Sequence, residues 1–169
     1  RGNFDIMIFA PAFPKFDRKT IGGYHLVNGS PVTGTEYSNH PSFKLTTPHI
    51  PSFFEGSKNS ICTGSLEHHA VKEGRETIKE EFGRLHAKGV DLIIVDSVDR
   101  RDLEEVSAAI KGLNLGVLPI GSSGLFRVLY SEQGAERSFF SGNLRDEPAL
   151  FVCGSVNSTS REQLSRWEI

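Results

Sequence analysis

The sequence predicts an α/β fold: a layered, mostly parallel sheet flanked by helices, with a long hairpin-containing loop. Three observations lead there. Two near-continuous apolar runs, Phe4–Ala10 (FDIMIFA) and Val90–Val95 (VDLIIV), have the composition of strands buried on both faces. After the first of them and between the later ones, apolar residues return at helical spacing, and right-handed crossovers close such an alternation into a parallel sheet. The stretch Pro11–Pro41 carries prolines and glycines that forbid a long helix, and it is too long for an idle connection.

Phe4–Ala10 is read as a central strand that Pro11 ends, because proline cannot continue a ladder. Within the long loop, His25–Val27, Asn28-Gly29 and Ser30–Val32 form a hairpin signal, since Asn-Gly supplies the two positive φ values of a type I′ turn. Thr46–Phe54 is Pro-punctuated and apolar, and reads as packed coil. Glu67–Gly89 reads as one helix with Val71, Ile78, Phe82 and Leu85 on its inner face, Glu80 placed four before Arg84, and Gly89 as its C′ residue. Val90–Val95 is the second strand. Asp99 then caps a helix with Asp102 in its first turn and Leu103, Val106 and Ile110 inward.

Leu115–Ile120 is a third strand weakened by Pro119, and Gly121–Gly124 turns it into a helix of Leu125, Val128 and Leu129. Residues 131–148 are polar and turn-rich, which predicts a linker with a domain boundary near Arg145. Ala149–Cys153 (ALFVC) is a fourth strand, followed by a helix from about Ser158.

With 169 residues, a net charge of -2 and a pI near 6.3, the chain is long enough for one proper core. The same balance argues against nucleic acid or an anionic membrane as main partner. The partner expected is a small molecule or another protein. No apolar run is long enough to span a bilayer, and no secretory leader is evident. Cys62 and Cys153 lie far apart, which suits reduced thiols and a soluble protein of the cytoplasm. The start at Arg1, directly before a strand, predicts a chain cut from something longer.

Ligands of open parallel sheets bind beyond the carboxyl ends of the strands. That edge here receives Pro11–Arg18, Asp96-Ser97, the Gly121-Ser122-Ser123-Gly124 turn and Gly154-Ser155. Gly and Ser at a strand-to-helix turn let backbone N–H groups approach an anion, but Ser also favours such positions as a plain cap. Asp96 is open to three readings: a base, a ligand for a metal or hydroxyl, or a cap. Arg18 either grips a carboxylate or phosphate bidentately or pairs with Asp17 or Glu36.

His68-His69, without further ligands at metal spacing, reads as a solvated helix start rather than a zinc site. His25 and His40 read as structural hydrogen-bond partners. There is no Walker motif, no GxGxxG after a strand and no Gly-x-Ser-x-Gly elbow, so hydride and acyl transfer lose ground. An isomerase or aldolase would want a Lys or metal cluster that the sequence does not offer. A non-catalytic α/β domain binding an anion or a protein stays open.

The long loop, as PAFPxxxRxTxxGxHxVxGxPVxxTxxxxxP over Pro11–Pro41, resembles the four-carbon acid sugar kinase family. Other pieces follow in the family's order. Arg1-Gly2-Asn3 is similar to the tail of its Asp-Ser-Thr-Leu-Arg-Gly-Asn motif, and Val95–Leu103 to its strand and helix start. Gly121–Leu125 resembles its Gly-Ser-Ala-Gly-Leu turn, and Cys153–Gln163 its Ser-Gly-Ser opening of the nucleotide domain.

The resemblance implies ATP-dependent phosphorylation, with Mg2+, of an acid such as 3-oxo-tetronate, threonate or erythronate at the 4-position. It implies that Arg1 and Asn3 belong to the substrate site, that Pro11, Pro14 and Arg18 border it, and that Gly154 and Ser155 lie at the nucleotide. It divides the chain into a sugar-binding part, 1–145, and the first strand and helix of a nucleotide domain, 146–169. The family's Ala-Asp-Asp-x-Thr-Gly-Ala segment and most of its nucleotide domain have no counterpart here, so these residues alone are expected to be inactive; a homodimer is compatible. Departures fall at Asp17, where the family has Gly, at Asn39-His40 before Pro41, and at Asn157 and Ser160 after Ser155.

Overall fold

The computed structural model describes residues 4–35, 38, 44–54, 61–130, 154 and 158–166. The chain divides into two compact units, 1–133 and 134–169. In the first, β1 (Ile6–Ala10) is followed by β2 (Arg18–Ile21), β3 (Tyr24–Val27) and β4 (Ser30–Pro31). Then come β5 (Thr63–Leu66), α1 (His68–Lys72), α2 (Arg75–Ala87), β6 (Leu92–Val95), α3 (Arg100–Lys111), β7 (Val117–Gly121) and α4 (Ser123–Leu129). Of the second unit, Gly154 and α5 (Ser158–Ser165) are described. The predicted linker, boundary and fourth strand lie outside the described residues.

The main sheet has the order β5-β6-β1-β7 and is parallel throughout. As expected, β1 is central, with Phe9 opposite Ile94 on one side and Ile120 on the other. Pro119 is tolerated because, among the described residues, β7 pairs with β1 alone and stands at the edge of the sheet. One face of the sheet is covered by helices: Ile6, Ile8, Ala10, Ile93 and Val95 meet Ile78, Phe82, Leu103, Val106, Ala109 and Leu125 in a single apolar core.

Two expectations need correction. The helix predicted over 67–89 is two helices, because Gly74 sits at φ 94 and redirects the chain between α1 and α2. Arg84 pairs with Glu81 rather than Glu80: its Nη2 lies 2.6 Å from Glu81 Oε2 and its Nε 3.0 Å from Oε1, a fork that the i,i+3 partner satisfies. Gly89 does follow α2 at φ 82.

Asp99 caps α3 as expected, and does so reciprocally. Its side chain accepts the Asp102 amide while the Asp102 side chain accepts the Asp99 amide. Two strands carried no readable signal. β5 (TGSL) is short and small, its Gly64 allowing close approach, since a Cβ there would stand 3.1 Å from Val90 Cγ1. β2 (RKTI) is charged and lies within the long loop.

Candidate functional site

The long loop after β1 folds back over the carboxyl edge of the main sheet as the antiparallel sheet β2-β3-β4. Two tight turns make this possible. Asn28 and Gly29, at φ 51 and 74, close β3 on β4 as expected, and Gly22 and Gly23, at φ 58 and 74, close β2 on β3 in the same left-handed manner. Before them, Pro14–Phe16 form a short 3-10 turn ended by Asp17 at φ 47. This is the position where the resembling family carries glycine, and Asp is among the few residues that enter that region readily.

The hairpin is fastened to the sheet at β6. Thr20 and Ser97 exchange backbone hydrogen bonds of 2.9 and 3.0 Å. Beside them, the buried Asp96 carboxylate accepts the N–H groups of Gly22 at 2.6 Å, Gly23 at 3.0 Å and His68 at 3.2 Å. The carboxylate does not cap the turn that follows Asp96; its partners all come from earlier in the chain. It holds a turn of the hairpin and the start of α1 together, and acts as a positioning group rather than a ligand presented to solvent.

Register decides which hairpin residues face inward. Arg18 opposes Val27 and Thr20 opposes His25, so these four share one face, and the burial of Thr20 and Val27 shows that it is the face turned to the domain. Ile21 and Tyr24 point outward and are exposed.

The Thr20 hydroxyl lies 3.3 Å from His25 Nδ1, the structural hydrogen bond expected for that histidine. Burial, and then the positive charge of Arg18, pull the His25 pKa below its usual value. His25 lines a cavity of about 330 Å³ together with Phe9 and Pro11 at the end of β1, Val32 of the hairpin, and Ile50 and Phe54. Arg18 lines a second, more polar cleft of about 560 Å³ with Lys15, Asp17, Asn28 and Thr35. Asp17 itself pairs with Lys19 at 2.7 Å.

Pro11 and Pro14 thus border the hairpin, and Arg18 lies on its inner face. Arg1, Asn3 and Ser155 lie outside the described residues, and Gly154 is exposed. The Ser122-Ser123-Gly124 turn is a packing joint: Ser122 Oγ donates to the Ala12 carbonyl at 2.5 Å and accepts the Gly124 N–H at 3.0 Å. A Cβ on Gly124 would stand 2.9 Å from the Ala12 carbonyl oxygen, and one on Gly121 would overlap the Ala10 carbonyl at 2.4 Å. The glycines are required for contact with the chain leaving β1, and the serine hydroxyl is spent as a cap.

His68 is not simply solvated. Its Nε2 lies 3.0 Å from the buried carboxylate of Asp102, which also takes Lys72 Nζ at 2.8 Å, whereas His69 is open to solvent. Among the described residues no group of three His, Cys, Asp or Glu side chains could hold a metal ion, and no helix is long and apolar enough to cross a membrane. Sequence reasoning missed Thr20 and the Gly22-Gly23 turn, and placed Ser97 at the carboxyl edge without its bridge to Thr20. The Gly-Gly dipeptide itself, a turn former, was the signal available for that turn.

The carboxyl edge of the parallel α/β layer is thus covered by a hairpin whose inner face carries Arg18. Residues 1–129 match the family model described as the sugar-binding N-terminal domain. The chain belongs to that family, that of the four-carbon acid sugar kinases.

It is 29% identical over 123 residues to a 3-oxo-tetronate kinase of Actinobacillus succinogenes, covering 73% of this chain and 29% of that protein. It is 26% identical over 162 residues to a D-threonate kinase of Bordetella bronchiseptica, covering 96% and 35%. The chain therefore spans about a third of the length of the curated relatives it matches. Among solved structures it superposes on a Haemophilus influenzae protein with a TM-score of 0.66 at 25% identity, covering 77% of this chain and 31% of that one. A Bordetella bronchiseptica protein, solved as a domain-swapped dimer with bound citrate, gives 0.54 at 27% identity, covering 71% and 27%.

Proposed function

We propose that these residues form the acid-binding part of an ATP-dependent kinase that phosphorylates a four-carbon acid sugar at its 4-hydroxyl. 3-Oxo-tetronate, threonate and erythronate are the candidate acids. The observation that carries the reading is the family match over residues 1–129, a span that includes the hairpin, Arg18 and the whole carboxyl edge. The citrate held by the Bordetella neighbour supports an organic acid as ligand.

Phosphoryl transfer needs positioning and charge stabilisation more than covalent help. In this reading the Arg18 guanidinium offers its planar fork to the substrate carboxylate. Pro11 and Pro14 set the path of the chain beside it, and Arg1 and Asn3 complete the acid site. Gly154 and Ser155 face the nucleotide. Magnesium, when bound with ATP, would neutralise charge on the phosphates. The protein works in the cytoplasm as a homodimer, in keeping with the swapped dimer of the neighbour, without nucleic acid or membrane as partner.

Calorimetry of the chain with D-threonate, D-erythronate and acetate tests this. Saturable binding of a four-carbon acid with acetate inert is the expected result. An equal, weak response to all three removes the reading in favour of a non-catalytic anion- or protein-binding domain.

A further inference from the structure

We propose that Asp17 determines which acids the Arg18 cleft accepts: its carboxylate takes a hydrogen bond from the hydroxyl end of a hydroxy acid and turns away acids that carry a second carboxylate there. The inference rests on the function proposed above and adds a source of selectivity to it. Its first support is placement. Asp17 and Arg18 line one cleft of about 560 Å³, together with Lys15, Asn28 and Thr35, a volume in the range of small-molecule sites.

The second support is the charge balance of that wall. Lys15 and Arg18 bring two cations, and Lys15 has no carboxylate partner among the described residues. Asp17 is the one acidic side chain among the described residues that line the cleft. A ligand carboxylate is drawn to the cations, whereas Asp17, an acceptor only, offers a place to a hydroxyl donor. The third support is that Asp17 is fixed and yet half free. It closes the 3-10 turn at φ 47, its N–H bonded to the Pro14 carbonyl and its own carbonyl accepting the Asn28 N–H at 3.0 Å. One carboxylate oxygen, Oδ1, pairs with Lys19 at 2.7 Å, and the other has no partner among the described residues. Lys19 does not line the cleft, so Asp17 is the member of that pair that a ligand meets.

The chemistry of the proposed reaction gives this selectivity a use. Threonate and tartrate share four carbons and the two inner hydroxyls, but tartrate has a carboxylate in place of the terminal hydroxymethyl group. It therefore has no 4-hydroxyl to receive a phosphoryl group and would only occupy the site. A second carboxylate beside Asp17 meets a like charge in a solvated cleft, a contact that weakens binding about fivefold. A hydroxyl in the same place gains an acceptor.

The test is calorimetry of the full 169-residue chain with D-threonate and with tartrate of matching configuration, at low ionic strength, for the wild type, Asp17→Asn and Asp17→Gly. Both replacements tolerate a positive φ, so the turn is kept, and circular dichroism checks the fold. The wild type should prefer threonate by about fivefold or more, and both variants should gain affinity for tartrate but not for threonate, so that the preference falls by about fivefold. Binding by the wild type in which the preference is absent or reversed, or stays within about twofold in the folded variants, overturns this inference alone. No binding of either acid by the wild type overturns it together with the function it rests on. Should both variants fail to fold, Lys19→Gln decides: baring the Asp17 charge should widen the preference, and a preference unchanged within about twofold overturns the inference.

Discussion

The carboxylate of Asp96, at the end of β6, accepts the backbone N–H of Gly22 at 2.6 Å across 74 residues of sequence. With the bonds from Gly23 and His68 it ties three separate segments to one buried anion. Removing it leaves the buried Gly23 amide without its acceptor, at about 1–3 kcal/mol, and frees the more accessible Gly22 and His68 amides to water at a smaller cost. Asp96→Ala is expected to lose about 2–4 kcal/mol in urea unfolding and to speed amide exchange at Gly22 and Gly23 above that of the sheet. Unchanged exchange at the two glycines would contradict the latch.

The two glycines of that turn are not equivalent. Both have positive φ, which costs an L-residue about 1–2 kcal/mol. A Cβ on Gly22 would find its nearest neighbour at 4.0 Å, whereas one on Gly23 would press on Pro51 Cδ at 3.1 Å and His49 Nε2 at 3.3 Å. Gly23→Ala should therefore be the more destabilising, and it should weaken the bond by which Ile50 N–H reaches the Gly23 carbonyl. Equal melting temperatures for the two alanine variants would count against this packing.

Asp17 poses the converse case, a non-glycine at φ 47. Asp17→Gly relieves the left-handed strain and gives up a half-exposed pair with Lys19, worth at most about 1 kcal/mol, while loosening the unfolded chain. The expected result is a stability within about 1 kcal/mol of wild type, with gain favoured. A loss well beyond that in chemical denaturation would mean that Asp17 is held by more than its turn.

How much of this was legible in the residues depends on how local the cause is. β1, β6 and α3 were readable because an apolar run or a capping pair sits within each segment. The Asn28-Gly29 turn was readable for the same reason. Asp96 was visible only as a carboxylate at a strand end, since its role comes from Gly22, far away in sequence and facing it only after the hairpin folds back. The small residues of β5 and the charged ones of β2 gain strand character from their partners, Leu92–Val95 and Tyr24–Val27. The Ser122–Gly124 turn stayed open in the sequence because the same residues serve an anion turn and a close packing joint, and the nearness of the Ala12 carbonyl is visible only in the fold.

Ser97 carries an orphan. Its hydroxyl oxygen is fully buried and has no hydrogen-bond partner among the described residues, though its backbone serves the bridge to Thr20. An unpaired buried hydroxyl is a desolvation penalty of about 1–3 kcal/mol that alanine does not carry. Ser97→Ala should be neutral or stabilising by up to about 1 kcal/mol, with the hairpin intact. A clear destabilisation in thermal melts would show that the hydroxyl has a partner in solution.

Asp102 makes the pH dependence of the fold specific. Burial pushes its carboxyl up, but the bonds from Lys72 and from the Val98 and Asp99 amides outweigh burial, and the carboxyl is held below the usual range. Folded, it binds fewer protons than in the unfolded chain, where its pKa is about 3.9. Its contribution is therefore present above that value and lost as pH falls through the lower, folded one. Lys72 runs the other way: hydrogen bonds to Asp102 and then Asp99 raise it, so its share is intact at neutral pH and is lost only as pH rises through its folded value, above about 10.4. Asp102→Asn keeps one amide oxygen for the Val98 and Asp99 N–H groups of the α3 capping box but removes the negative charge that Lys72 and His68 pair with. It should cost about 2–4 kcal/mol at pH 7. The deficit should shrink toward pH 3, as the wild-type carboxyl begins to protonate. Urea unfolding of both proteins at pH 7, 5 and 3 checks this, and a deficit that stays constant across the three would show that the carboxylate's charge is not what holds α1 to α3.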